Sequence, residues 1–189
     1  MRIAFMGCVQ SSLRALTTLV SMSHEEIEVV AVVTKEKSNI NADFVNLIPL
    51  CIKHKIPFHL EKNNEKRLSR EFLARYNPDI IYCFGWSHLL DKALLNMAVH
   101  GVIGFHPAPL PQGRGRHPII WALALGLKET ASTFFLMDEN VDSGPILSQV
   151  PITIDNYDNA TNLYQKILDI SEKQIIDFSL KLSRGEAEF

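Results

Sequence analysis

His106 closes an apolar run, Gly101-Val102-Ile103-Gly104-Phe105, and stands directly before Pro107. A residue that precedes proline has a restricted backbone, so this imidazole is held by stiff chain, which suits a group that must give or take a proton. Taken alone, a histidine at a strand end is more often a satisfied structural residue. Three carboxylates crowd into Met137-Asp138-Glu139-Asn140-Val141-Asp142-Ser143-Gly144-Pro145. Asp, Asn and Gly favour turns, so that segment reads equally as a surface bend. Between the two lie Arg114, Arg116 and His117, in a stretch broken by Pro107, Pro109, Pro111, Gly113 and Gly115. An imidazole beside a carboxylate moves protons and stabilises developing charge. A guanidinium nearby grips an anion, or fastens its own loop.

These residues need a frame that brings them together. Ile3 to Met6 is an apolar run ended by Gly7, and Leu13, Leu16 and Val20 then recur at helical spacing. Ile27 to Val33 is rich in β-branched residues and apolar on both faces, as in an interior strand of a parallel sheet. Asp43 is placed to cap a helix running to about His54, and Ile56 to His59 reads as an edge strand because Pro57 cannot donate to a central ladder. A helix over 65–76, a buried strand over 80–84 and a short helix over 92–98 follow. After the strand 102–106 and the stiff loop comes a helix from Pro118 to about Gly126. Two strands, 131–137 and 146–154, flank the acidic bend, and an amphipathic helix spans 159–184. The alternation predicts an α/β fold: a Rossmann-like, doubly wound, mostly parallel sheet with helices on both faces, an antiparallel pair near 131–154, and a single domain over residues 1–189. Ligands of such sheets lie beyond the carboxyl ends of the strands, where residues 7–12, 84–88 and 106–117 fall.

The chain has 189 residues, of which 47% are hydrophobic and 21% charged, enough to bury one continuous core. Its formal charge of −2 forms no basic stripe, so no nucleic acid partner is expected. Cys8, Cys51 and Cys83 are odd in number and sit in apolar surroundings, which reads as buried free thiols rather than a disulfide framework or a metal site. No apolar stretch is long enough for a signal peptide or a bilayer span, so no membrane partner and a cytoplasmic location are expected.

The series His106-Pro107-Ala108-Pro109-Leu110-Pro111, Arg114-Gly115, Pro118, Trp121, Asp138-Glu139 and Val141-Asp142-Ser143-Gly144-Pro145-Ile146-Leu147 resembles the catalytic domain of the 10-formyltetrahydrofolate-dependent formyltransferases. The opening Met1-Arg2-Ile3-Ala4-Phe5-Met6-Gly7 is similar too, so the resemblance runs over nearly the whole chain. It implies formyl transfer from 10-formyltetrahydrofolate to a primary amine, without a metal. His106 matches the histidine that stabilises charge on the reacting carbonyl, and Asp142 the aspartate that raises its basicity and relays the amine's proton. The same resemblance places the pterin against the backbone of the strand-end segment Phe84-Gly85-Trp86-Ser87 and against the bend carrying Met137, Asp138 and Asp142. Trp86 otherwise plugs the sheet edge, and Asp138 otherwise only forms a turn.

One position departs from the family. An Asn two residues before the histidine usually donates to the developing oxyanion, and here that position is Gly104. Loss of such a donor costs about 10² to 10³ in rate. The replacements open to the chain are Gln112, His117 or Ser87, or a backbone N–H freed by glycine; the alternative is a folate-binding module without turnover, or hydrolysis of the formyl donor by water.

The stretch Arg114-Gly115-Arg116-His117-Pro118-Ile119-Ile120-Trp121 is more similar to the branch acting on methionyl-tRNA and amino sugars than to glycinamide ribonucleotide transformylase. Methionyl-tRNA formyltransferases carry a further C-terminal barrel, and the sequence ends soon after its last helix. The expected acceptor is therefore a small molecule, a nucleotide-linked amino deoxysugar, and a homodimer is compatible with this reading. Gln10, Ser11 and Ser12 at the first strand-to-helix turn are candidates to meet its phosphate or sugar, as are Arg114 and His117. Ser11 and Ser12 otherwise serve as ordinary helix caps.

Overall fold

In the computed structural model, residues 1–22, 26–38, 40–62 and 65–188 are described. Seven strands form one sheet in the order β3-β2-β1-β4-β5-β6-β7. The parallel part comprises β1 (Arg2–Met6), β2 (Glu28–Thr34), β3 (Phe58–Leu60), β4 (Ile80–Cys83) and β5 (Val102–His106). Antiparallel β6 (Glu129–Leu136) and β7 (Ile146–Thr153) extend it. Pro57 precedes one edge strand and Pro151 lies in the other, where a missing backbone donor is tolerated.

Side chains alternate between two cores. Ile3, Phe5, Ile80 and Tyr82 point to the face covered by α1 (Gln10–Ser21) and α6 (Ala160–Arg184), where Leu16, Leu19, Ile175 and Phe178 pack. Ala4, Met6, Ile81 and Cys83 point to the face covered by α3 (Lys66–Ala74) and α4 (Lys92–Leu95). α5 (Pro118–Ala124) packs through Ala122 with Ile152, Leu163 and Ile167 in a third, smaller cluster. The doubly wound arrangement is the one the alternation predicts.

One helix differs from expectation. α2 (Ile48–Lys53) begins well after Asp43, because Pro49 must sit in a first helical turn. Asn46 Oδ1, not Asp43, accepts the Ile48 N–H at 2.9 Å. Asp43 is thereby released from capping, and it reappears at the site.

The chain turns outward in opposite directions from β1, towards β2 on one side and β4 on the other. Beyond the carboxyl ends of two such strands the connections diverge and leave a crevice.

Candidate active site

β5 delivers His106 to its carboxyl end, and the loop after it folds back so that the Gly113 carbonyl lies 2.7 Å from His106 Nε2. A carbonyl can only accept, so Nε2 carries the proton and Nδ1 is left for chemistry in the neutral ring; this tautomer is assigned from the partner. Asp142 Oδ2 stands 3.7 Å from Nδ1, longer than a hydrogen bond and within the range that tightens when a ligand closes a site. The two side chains are only 8% and 18% exposed, so little water screens one from the other.

The bend that carries Asp142 is tightly specified. Asp142 has φ 49°, a left-handed conformation that Asp tolerates better than most residues. Its Oδ2 accepts the Gly115 N–H at 2.9 Å, which ties the acidic bend to the proline-rich loop. Gly144 lies against the backbone of Leu136, where a Cβ would collide with the Leu136 carbonyl oxygen. Leu136 N–H donates to the Pro145 carbonyl at 2.8 Å, closing the bend. Asp138 accepts from the Ser143 hydroxyl at 2.7 and 2.9 Å and from the Asn140 N–H at 2.9 Å. Those bonds, the hydroxyl first, hold its carboxyl below the usual range, which is the signature of a turn former.

A cavity of about 690 Å³ opens at the crevice between β1 and β4. Asp142, Gly104, Phe105 and Pro107 line it, so the His106 segment forms part of its wall. Of the residues expected at the site, Ser11, Gly85, Trp86, His117 and Met137 also line it. The others do not. Phe84 is 1% exposed and stacks edge-on with Phe5, Phe105 and Phe134 in the core, because it shares a face with Tyr82 while Gly85 shares one with Cys83. Ser12 is fully buried; its hydroxyl donates to the Phe84 carbonyl at 2.6 Å and accepts the Val9 N–H at 3.1 Å. Gln10, Arg114 and Asp138 lie outside the cavity wall, and so does the His106 side chain, which is 6% exposed between the lining residues Phe105 and Pro107. Trp86 carries Lys35 Nζ 4.8 Å from its ring centroid, so one of its faces already has a cation partner.

Gly104 is explained by space rather than by backbone freedom. It sits in regular β5 directly across from Phe135, and a Cβ there would lie 2.8 Å from Met137 Cγ and 2.9 Å from Phe135 Cζ. An Asn side chain there requires the Met137 and Phe135 side chains to shift. Among the candidate replacement donors, Ser87 and His117 line the cavity and Gln112 does not. Ser87 Oγ accepts from Asn41 Nδ2 at 2.8 Å, which leaves its own O–H to donate.

Sequence reasoning missed Asn41, Asp43, Phe135, Thr161 and Tyr164, all on the cavity wall. The cysteines are free and buried. Burial pushes the Cys8 and Cys51 thiols up to about 11, and Cys83 higher still. Among the described residues no group of three or more His, Cys, Asp or Glu side chains is placed to hold a metal ion. No helix there is long and apolar enough to cross a membrane.

A histidine at the end of β5 and an aspartate on the bend between β6 and β7, at the switch-point crevice of this sheet order, coincide with a match of residues 1–178 to the formyl transferase family. The chain belongs to that family. The chain is 34% identical over 191 residues to a methionyl-tRNA formyltransferase of Kosmotoga olearia, covering 98% of this chain and 60% of that protein. It is 30% identical over 174 residues to a GDP-perosamine N-formyltransferase of Brucella melitensis, covering 92% of this chain and 65% of that one. The chain thus spans less than two thirds of the length of these relatives. A phosphoribosylglycinamide formyltransferase structure from Anaplasma phagocytophilum superposes with a TM-score of 0.85 at 18% identity, covering 98% of this chain and 88% of that one, a likeness of fold.

Proposed function

We propose that this chain transfers a formyl group from 10-formyltetrahydrofolate to the primary amine of a nucleotide-linked amino deoxysugar. The observation that carries the reading is the approach of His106 Nδ1 and Asp142 Oδ2, 3.7 Å apart, beside a cavity large enough for a small-molecule site.

In the transfer, the amine nitrogen bonds to the formyl carbon, the bond from that carbon to the donor nitrogen breaks, and one proton passes from the amine to the departing nitrogen. His106 and Asp142 are placed to handle that proton. Nδ1 faces the carboxylate, so a proton taken on one side has a second acceptor close by. The N–H held against Gly113 fixes the ring's orientation while this happens. Charge gathering on the formyl oxygen needs a donor, and the Ser87 O–H and His117 are cavity groups able to offer one. Gly85, Trp86, Phe135 and Met137 supply the flat apolar surface and exposed backbone that suit the donor's ring system.

The amino-sugar acceptor is favoured by the relative named for GDP-perosamine and by a formal charge of −2, which offers tRNA no electrostatic footing. The test is incubation with 10-formyltetrahydrofolate and a panel of nucleotide-linked amino sugars, read by mass spectrometry for a gain of about 28 daltons, one formyl replacing hydrogen. A parallel reaction without acceptor measures formate. Release of formate alone, or binding of folate with no product at all, rejects the transfer.

A further inference from the structure

The part of the cavity wall built from the start of α1, residues 41–43 and the start of α6 has no task in the proton chemistry above. There the Ser11 N–H donates to the Tyr164 hydroxyl oxygen at 3.1 Å, and the Tyr164 hydroxyl donates to Asp43 Oδ2 at 2.9 Å. The Gln10 N–H donates to the Asp43 carbonyl at 3.0 Å. A helix start holds a phosphate through such free N–H groups. Here two of them are already satisfied, and a carboxylate occupies the ground an anion would take, with its charge matched to the positive end of the helix.

The arrangement is stable in its protonation. Burial pushes the Tyr164 phenol up to about 12, so its proton stays committed to Asp43. Asp43 is exposed, and its Oδ1 has no partner among the described residues. An anionic oxygen on a cavity wall accepts from O–H and N–H groups and repels phosphate.

We propose that Asp43, positioned by Tyr164, is the specificity-determining residue for the acceptor: it takes hydroxyl donors of the sugar ring and excludes phosphate from the start of α1. The inference rests on the amino-sugar reading above and adds an orientation, with ring hydroxyls towards α1 and the phosphates of the acceptor directed elsewhere.

Two measurements test it. Steady-state kinetics with the amino sugar that the wild type accepts should show KM for that sugar raised about tenfold or more in Asp43→Asn, the scale of a lost charge-assisted hydrogen bond. KM for the folate donor and kcat should hold within about twofold, and Tyr164→Phe should fall between the two. Separately, inorganic phosphate is titrated into isotope-labelled protein while the Ser11 amide resonance is followed. It should stay put in the wild type and move in Asp43→Ala. An unchanged sugar KM in Asp43→Asn overturns the proposal and leaves formyl transfer standing. If the wild type formylates no amino sugar, the functional reading fails and the phosphate titration alone decides the exclusion. Movement of Ser11 in the wild type, or none in Asp43→Ala, then overturns it.

Discussion

Asp142 accepts the Gly115 N–H at 2.9 Å with the same oxygen that faces His106. The carboxylate is therefore oriented by the loop that also supplies the Gly113 carbonyl to the imidazole, and the two side chains share one support.

Asp142→Asn separates chemistry from architecture. Asn tolerates the left-handed backbone at φ 49° and its amide oxygen still accepts from Gly115. Formyl transfer should fall by about 10² or more while the melting temperature moves by only a few degrees. His106→Ala should likewise abolish transfer. Turnover at the wild-type level in either variant removes both residues from the proposed chemistry.

Gly144→Ala should do the reverse, damaging the frame first. Its Cβ would run into the Leu136 carbonyl, and backbone does not yield cheaply. A destabilisation of about 1–3 kcal/mol is expected, with Asp142 displaced and transfer lost. A chemical denaturation curve and the transfer assay together check it.

Alkaline pH should destabilise the protein. The Tyr164 phenol is raised by burial from 10.0 to about 12, and Tyr82 is raised further by the same cause. Below pH 10 both states keep these protons. Between about 10 and 12 the unfolded chain loses them while the folded chain retains them, so stability is lost as pH rises through that window. Thermal melts from pH 9 upward should show the fall, with a shallower slope in Tyr164→Phe.

The three thiols should react slowly with alkylating reagents in the native state at neutral pH, since burial raises all of them and Cys8 and Cys51 sit near 11. Denaturant should release all three together. Rapid native labelling of Cys83, which lines the cavity, would show that the crevice opens more than this structure does.

The sheet was legible because its strands are apolar on alternating or both faces, and β-branched runs flanked by Gly and Pro mark their ends. The edge position of β3 followed from Pro57 alone. That the Phe84 and Ser12 side chains face the core was legible in principle. Phe84 is two residues from Tyr82 and so shares its buried face. Ser12 lies in register with the buried Ala15, Leu16 and Leu19 of α1. The pairing of Asp43 with Tyr164 was beyond reach, because 121 residues separate them and only the closed fold makes them neighbours. His106 and Asp142 came from a resemblance, since neither residue alone outweighs a bland reading.

Across the sheet, Gly104 and Phe135 form one packing unit, with Met137 closing its side. While the phenyl ring fills the hollow, any larger residue arriving at 104 meets a penalty before it can confer a benefit. A polar side chain placed there therefore fits only if Phe135 and Met137 give way together.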